Sequence, residues 1–284
     1  MKVSLVLATL GRDWELADFL KSLMIQTYKD FELIIIDQNK DGKIDDIVES
    51  INSYLDVKHV KVNFTGNARA RDYGIGLAQG RIVAFPDDDC AYDKDVLKKV
   101  VAEFKRRPNL SILVAGSYDV SSSRFSIGVN SHSARYFSRF NMMGVEFTQF
   151  FDRKKIDSRH FRLDHDFGIG SKYSGAEGFE LLYRLLRAGS AAFYTPEIKI
   201  YHPDKDHYKL GTSRMLMYST GVGAYIRKFA NQQDVFILYY IARKMFVAPI
   251  LKMLLAVVLL NPRKLAYSFY NLVGIWRGFL AYGR

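Results

Sequence analysis

Three mainly hydrophobic runs, residues 3–8, 31–36 and 81–85, do most to limit what this chain can fold into. Runs this short and this apolar suit strands buried on both faces. Between them lie stretches with helical spacing, such as Leu16, Phe19, Leu20 and Leu23 within residues 13–25. Further helices are expected over 44–55, 68–78 and 93–106, and another strand over 57–63. Gly80 supplies the stop after the third helix. Strand and helix in alternation imply an α/β fold, Rossmann-like, with a mostly parallel central sheet and helices on both faces. Such sheets bind ligands at the carboxyl ends of their strands. Asp37 ends the second strand and Asp87-Asp88-Asp89 follow the fourth, so two strands deliver acids to one edge.

The remaining pattern is looser. Residues 110–128 read as strand-like, 131–151 as aromatic and helical in part, and 164–189 as a glycine-rich loop followed by a helix over 177–187. Residues 191–202 read as a strand, and the chain turns helical after residue 208. The expected organisation is one domain over 1–210, in halves of 1–105 and 106–210, and a helical tail over 211–284.

Charge narrows the partners. The net charge is +11, which suits nucleic acid, an anionic membrane or a phosphorylated substrate. Residues 235–284 contain no Asp or Glu but carry Arg243, Lys244, Lys252, Arg263, Lys264, Arg277 and Arg284 among Leu, Phe, Tyr and Trp. Interfacial segments have this composition. The stretch is too interrupted for a spanning helix, so the tail reads as attaching to a membrane surface. A packed helical subdomain, a dimer contact and a re-entrant hairpin are the alternatives. The single cysteine, Cys90, excludes an internal disulfide and fits a reducing compartment. It reads as packing. The opening apolar run is too short for a signal peptide. The expected location is the cytoplasm, peripheral on the cytoplasmic face of the cell membrane.

Three consecutive acids after a buried strand repel one another and call for a cation. Moving a sugar from a nucleotide needs a hard divalent ion on the departing diphosphate, and such ions take carboxylate oxygens. The competing reading is an acidic helix N-cap.

Ordered motifs carry a resemblance. Val6-Leu7-Ala8-Thr9-Leu10-Gly11-Arg12, Leu20-Lys21-Ser22-Leu23 with Gln26-Thr27-Tyr28, Phe31-Glu32-Leu33-Ile34-Ile35-Ile36-Asp37, Ala70-Arg71-Asp72-Tyr73-Gly74-Ile75 and Gly80-Arg81 through Asp89 follow in sequence. Together they resemble the family 2 inverting glycosyltransferases of the GT-A fold, over residues 3–203. The resemblance implies a nucleotide-sugar donor, UDP-sugars favoured, and Mn2+ or Mg2+. It implies nucleotide binding by Thr9, Arg12, Asp37, Arg71, Asp87 and Asp88. For the metal it implies Asp89 and His202, with Asp87 sharing. The acceptor helix Glu177-Gly178-Phe179-Glu180 departs from the family pattern, since Gly178 replaces the second acid of the usual Glu-Asp pair. Glu177 is then the expected base, with Glu180 the runner-up; an Arg184–Glu180 surface pair is the competing reading for the latter. His160, His165 and His207 have no motif support.

The implied activity is transfer of a sugar to a hydroxyl of a glycan or lipid-linked acceptor, in cell-surface polysaccharide or glycolipid synthesis. A sugar-nucleotide nucleotidyltransferase would also need a metal and a doubly wound sheet, but residues 8–13 lack its glycine-rich, basic signature. A nucleic-acid-binding protein is disfavoured because the basic residues sit on an apolar tail. A scaffold that has lost its base is the reading raised by Gly178.

Overall fold

The computed structural model describes residues 1–203 and 211–283. His207, Arg284 and the expected boundary at residue 210 lie outside the described residues. The chain forms two compact units, one of residues 1–163 with 181–204, the other of 164–180 with 205–284.

The first unit holds the sheet. Its strands are β1 (Val3–Thr9), β2 (Phe31–Asp37), β3 (Val57–Lys61), β4 (Ile82–Ala84), β5 (Ala91–Tyr92), β6 (Ile112–Tyr118), β7 (Arg135–Phe137), β8 (Gln149–Asp152) and β9 (Ala192–Tyr201). They lie in the order β3-β2-β1-β4-β8-β6-β9-β5, with β7 also paired to β9. β1, β2, β3, β4, β6 and β9 run one way; the short β5, β7 and β8 run against them. The body of the sheet is therefore parallel.

Both faces are covered, and the central strands β1 and β2 are buried at every position and mostly apolar. Leu5 and Leu7 of β1 and Leu33 and Ile35 of β2 join one core with Leu16, Phe19, Leu20 and Leu23 of α1 (Trp14–Met24) and Val96, Val100 and Phe104 of α4 (Val96–Arg106). Val6 and Ile36 point the other way, as the period of two requires, and meet α3 (Asn67–Leu77) at Gly74. A Cβ there would overlap Val6, so only glycine lets this helix sit down on the sheet.

Two expectations for this unit change. The helix expected over 44–55 is α2 (Asp45–Glu49), followed by turns. Residues 131–151, expected to be helical in part, contain β7, a single 3-10 turn (Glu146–Thr148) and the start of β8. Strand pairing with distant β4, β6 and β9 overrides the local aromatic spacing there.

The second unit joins a loop to helices. Residues 164–176 lead into the first turn of α5 (Glu177–Arg187). The helices are α6 (Thr212–Asn231), α7 (Ile237–Tyr240), a π-helical stretch (Ile241–Val247), α8 (Ala248–Val258) and α9 (Pro262–Ala281). α6 and α9 cross at glycines: a Cβ on Gly223 would overlap the Ile275 carbonyl, and one on Gly278 the Thr220 carbonyl. The compact units thus depart from a division at residue 210, because the loop from Asp164 packs with the tail. Tyr173 donates to the Ala281 carbonyl at 2.9 Å, and Lys228 reaches Asp164 at 2.7 Å.

Candidate active site

The acids sit where the topology sends them. β4 ends at Ala84, and Phe85-Pro86 leads into a turn in which Cys90 N–H donates to the Asp87 carbonyl. β5 then pairs antiparallel with β9, Ala91 opposite Tyr201. This pairing brings the acidic turn beside His202, which follows β9. The result is a cluster in which ligand atoms of Asp87, Asp89 and His202 lie within 4.8 Å of one another. His202 Nε2 is 3.3 Å from Asp89 Oδ1. The imidazole stacks on Phe147, ring centres 4.8 Å apart and planes 10° off parallel.

Two arginines flank the acids. Arg12 pairs with Asp88 and lies 2.9 Å from Asp89 Oδ2. Burial works against its cation, but Asp88 and Asp89 raise its pKa above the ordinary value. Thr9 Oγ1 donates to Asp88 Oδ2 at 2.8 Å. Burial raises the Asp88 carboxyl, against the opposing pull of Arg12 and Thr9. On the other side Arg71, 1% exposed, donates to Asp87 Oδ1 at 2.5 Å, to the Pro86 carbonyl at 3.1 Å and to Glu146 Oε2 at 2.5 Å. Burial pushes the Cys90 thiol well up, consistent with a packing role.

The donor set fits a divalent cation. Among the described residues, the carboxylates of Asp87, Asp88, Asp89 and Glu146 meet the guanidinium groups of Arg12 and Arg71. Two carboxylates and a neutral imidazole suit Mn2+ well and Mg2+ less well. His202 Nδ1 is buried without a hydrogen-bond partner among the described residues.

Asp37 lies at the end of the neighbouring strand. It ends β2 opposite Thr9, as expected, but is wholly buried. Oδ1 accepts from Asn39 N–H and Asn39 Nδ2, both at 2.8 Å, and Oδ2 lies 2.9 Å from His59 Nε2. Asn39 Oδ1 in turn accepts from Gly11 N–H at 2.7 Å. Asp37 thus braces the loop that carries Arg12. His59, Asn39 and Glu146 were not among the residues singled out from sequence. Long-range pairing brings in His59 and Glu146, whereas Asn39 reaches Asp37 from two residues away; a lone histidine on an edge strand offers no local signal.

The expected base belongs to the second unit. Glu177 is buried and opens α5 directly after Gly175 and Ala176, both with positive φ (83° and 68°). For alanine that conformation is strained. Glu180 is wholly buried and pairs with Lys228 at 2.6 Å, so it is no surface residue. Arg184 donates to the carbonyls of His160 and Arg162.

A mostly parallel sheet with acids and a histidine at its carboxyl edge has the GT-A architecture of glycosyltransferases, and solved structures agree in fold. The fold is similar to the mannosyltransferase PcManGT from Pyrobaculum calidifontis in complex with GDP-Man and Mn2+ (TM-score 0.67, 14% identity, covering 97% of this chain and 86% of that one). It is also similar to S. aureus TarS 1-349 in complex with UDP-GlcNAc (TM-score 0.63, 14% identity, 98% and 92% covered). Residues 4–168, more than half of the chain, match glycosyl transferase family 2, and the chain belongs to that family. An uncharacterized glycosyltransferase of Haemophilus influenzae is 35% identical over 102 residues, 34% of this chain and 40% of that protein. The glucosyl-dolichyl phosphate glucuronosyltransferase of Haloferax volcanii is 28% identical over 120 residues, 41% and 38% respectively. The chain spans less than half the length of these relatives.

Proposed function

We propose that the chain moves a sugar from a nucleoside-diphosphate sugar, UDP-sugars favoured, to a hydroxyl of a glycan or lipid-linked acceptor, with inversion at the anomeric carbon. The observation that carries this reading is the convergence of Asp87, Asp89 and His202 at the carboxyl edge of the sheet. The UDP-GlcNAc and GDP-Man complexes of the fold neighbours support a nucleotide-sugar donor. The Haloferax relative's name supports a lipid-linked acceptor, and similarity to the putative teichuronic acid biosynthesis glycosyltransferase TuaG of Bacillus subtilis supports a role in polysaccharide synthesis.

Asp89, His202 and Asp87 would hold the divalent ion. When bound, it supplies positive charge to the departing diphosphate. Arg12, fixed by Asp88, adds a cation beside that group. Thr9 and Asp37 hold the strand ends that receive the nucleoside. The acceptor hydroxyl attacks the anomeric carbon opposite the diphosphate; the new C–O bond forms as the old one breaks, and Glu177 takes the hydroxyl proton. The leaving diphosphate retains the electron pair.

The acceptor would be met at a membrane surface, on the cytoplasmic face. No described helix is long and apolar enough to cross a bilayer. α8 nonetheless exposes Val258, Leu254, Leu255, Leu251 and Ile250, with Val247 just before it and Lys252 among them, so its outer face is largely apolar with one cation. Acids are absent from 235–284, and the exposed cations favour anionic lipid.

A screen of nucleotide-sugars with and without Mn2+, read by nucleotide release, tests the activity. Metal-dependent release is expected and should vanish in Asp89→Ala. Retained release in that variant would refute the metal assignment.

A further inference from the structure

Outside the metal cluster itself, one short turn touches both of its sides. Glu146 and Phe147 are neighbours in the 3-10 turn that precedes β8. Glu146 bonds Arg71, which bonds Asp87. Phe147 stacks face to face on His202. We propose that Glu146 and Phe147 are positioning residues that set the geometry of the metal-binding cluster from below, one through Asp87 and the other through His202. The inference rests on the metal reading given above.

Three observations carry it. The first is charge. Arg71 is almost wholly buried, and its guanidinium is shared between two carboxylates. Without Glu146, Asp87 would be drawn further onto the arginine and would compete less well for a cation. With Glu146 in place, the Arg71 guanidinium divides its bonds between Asp87 Oδ1 and Glu146 Oε2. The second is ring orientation. A parallel contact with Phe147 fixes the plane of the His202 imidazole and keeps Nε2 directed at Asp89. The third is the stiffness of the turn. Thr148 Oγ1 donates to the Val145 carbonyl at 2.7 Å and accepts from Val145 N–H at 3.1 Å, closing the turn on itself. Gly144, in the left-handed region, lets Val114 and the Thr148 hydroxyl pack where a Cβ would stand.

Topology explains why the turn is there. A parallel strand between β4 and β6 would bring its end to the carboxyl edge of the sheet. β8 runs antiparallel, Ala84 opposite Phe150, so its beginning arrives at that edge instead. The residues leading into β8 are thereby delivered beneath the acids and the histidine.

The test measures Mn2+ affinity directly, by electron paramagnetic resonance of free Mn2+ in titrations of the full chain without substrate. Glu146→Gln and Phe147→Leu should each raise the Mn2+ Kd by about 10- to 100-fold, the range for residues that orient metal ligands. Phe147→Tyr keeps the stacking and should leave the Kd within about twofold of wild type. Arg81→Gln breaks the bidentate Arg81–Asp152 pair at the far end of β8; it should lower the unfolding midpoint without moving the Kd. Wild-type Kd in folded Glu146→Gln would overturn the Arg71 route, and wild-type Kd in folded Phe147→Leu would overturn the stacking route. If Phe147→Leu does not fold, Glu146→Gln alone decides whether the turn positions the cluster. Asp89→Ala separates this from the reading beneath it. If that variant binds Mn2+ as wild type does, the metal site itself is wrong; if it loses Mn2+ while both turn variants are unaffected, only the positioning role falls.

Discussion

Gly221→Ala should uncouple sugar transfer from donor binding. Gly221 lies on α6, and a Cβ at this position would overlap the carbonyl of Gly175, two residues before Glu177. The backbone there has little slack, since Gly175 and Ala176 are both already left-handed. To restore van der Waals distance the loop or the helix must retreat by about 1 Å. A misplacement of about 1 Å costs on the order of 100-fold when it displaces a reacting group. Alanine also favours the helix by about 1 kcal/mol over glycine, which offsets part of the overlap, so a net destabilisation of about 1–2 kcal/mol that leaves the variant folded is expected. The expected outcome is a kcat for transfer lowered by about 10- to 100-fold, with nucleotide KM and Mn2+ affinity near wild type. Steady-state kinetics with saturating acceptor, alongside thermal unfolding, would measure this. A kcat within about twofold of wild type in the folded variant would refute the reasoning, provided Glu177→Gln abolishes transfer. If Glu177→Gln is also active, the base assignment is what fails.

Other perturbations follow from the same contacts. Gly74→Ala should destabilise the fold by about 1–3 kcal/mol in urea titrations, because its Cβ would overlap Val6 and force α3 off the sheet; an unchanged midpoint would count against the close packing. Lys244→Met should raise the unfolding midpoint at neutral pH. Burial lowers the Lys244 pKa, helped by Arg243 and Lys252, so the charged lysine opposes folding below its lowered value and ceases to do so as pH rises past the ordinary 10.5; the gain should shrink over that range. Leu254→Glu with Val258→Glu should abolish co-sedimentation with anionic vesicles, and equal binding by wild type and variant would remove α8 from the membrane proposal.

Much of the first unit was legible because its signals are local. β1 and β2 fall within a residue of the apolar runs, and α1, α3 and α4 within about three residues of their amphipathic spacing. The acids at the end of β4 and His202 after β9 were legible as motifs. Residues 131–151 were not, because β7 and β8 owe their form to partners far away in sequence. Nor was the burial of Asp37 and Arg71 legible, because a motif names a residue without saying which neighbours occupy its side chain.

The amino-acid sequence by itself therefore determined the parallel α/β sheet, the strand ends that carry acids, the family and the basic, acid-free tail. Each follows from hydrophobic period or from residues close together in the chain. Only tertiary structure decided that Arg71 serves Asp87 and Glu146, that Phe147 backs His202, and that the loop carrying Glu177 belongs with the tail helices. Those facts rest on reversed strand direction and on glycines that admit a carbonyl, and both depend on segments that meet only after the chain has folded.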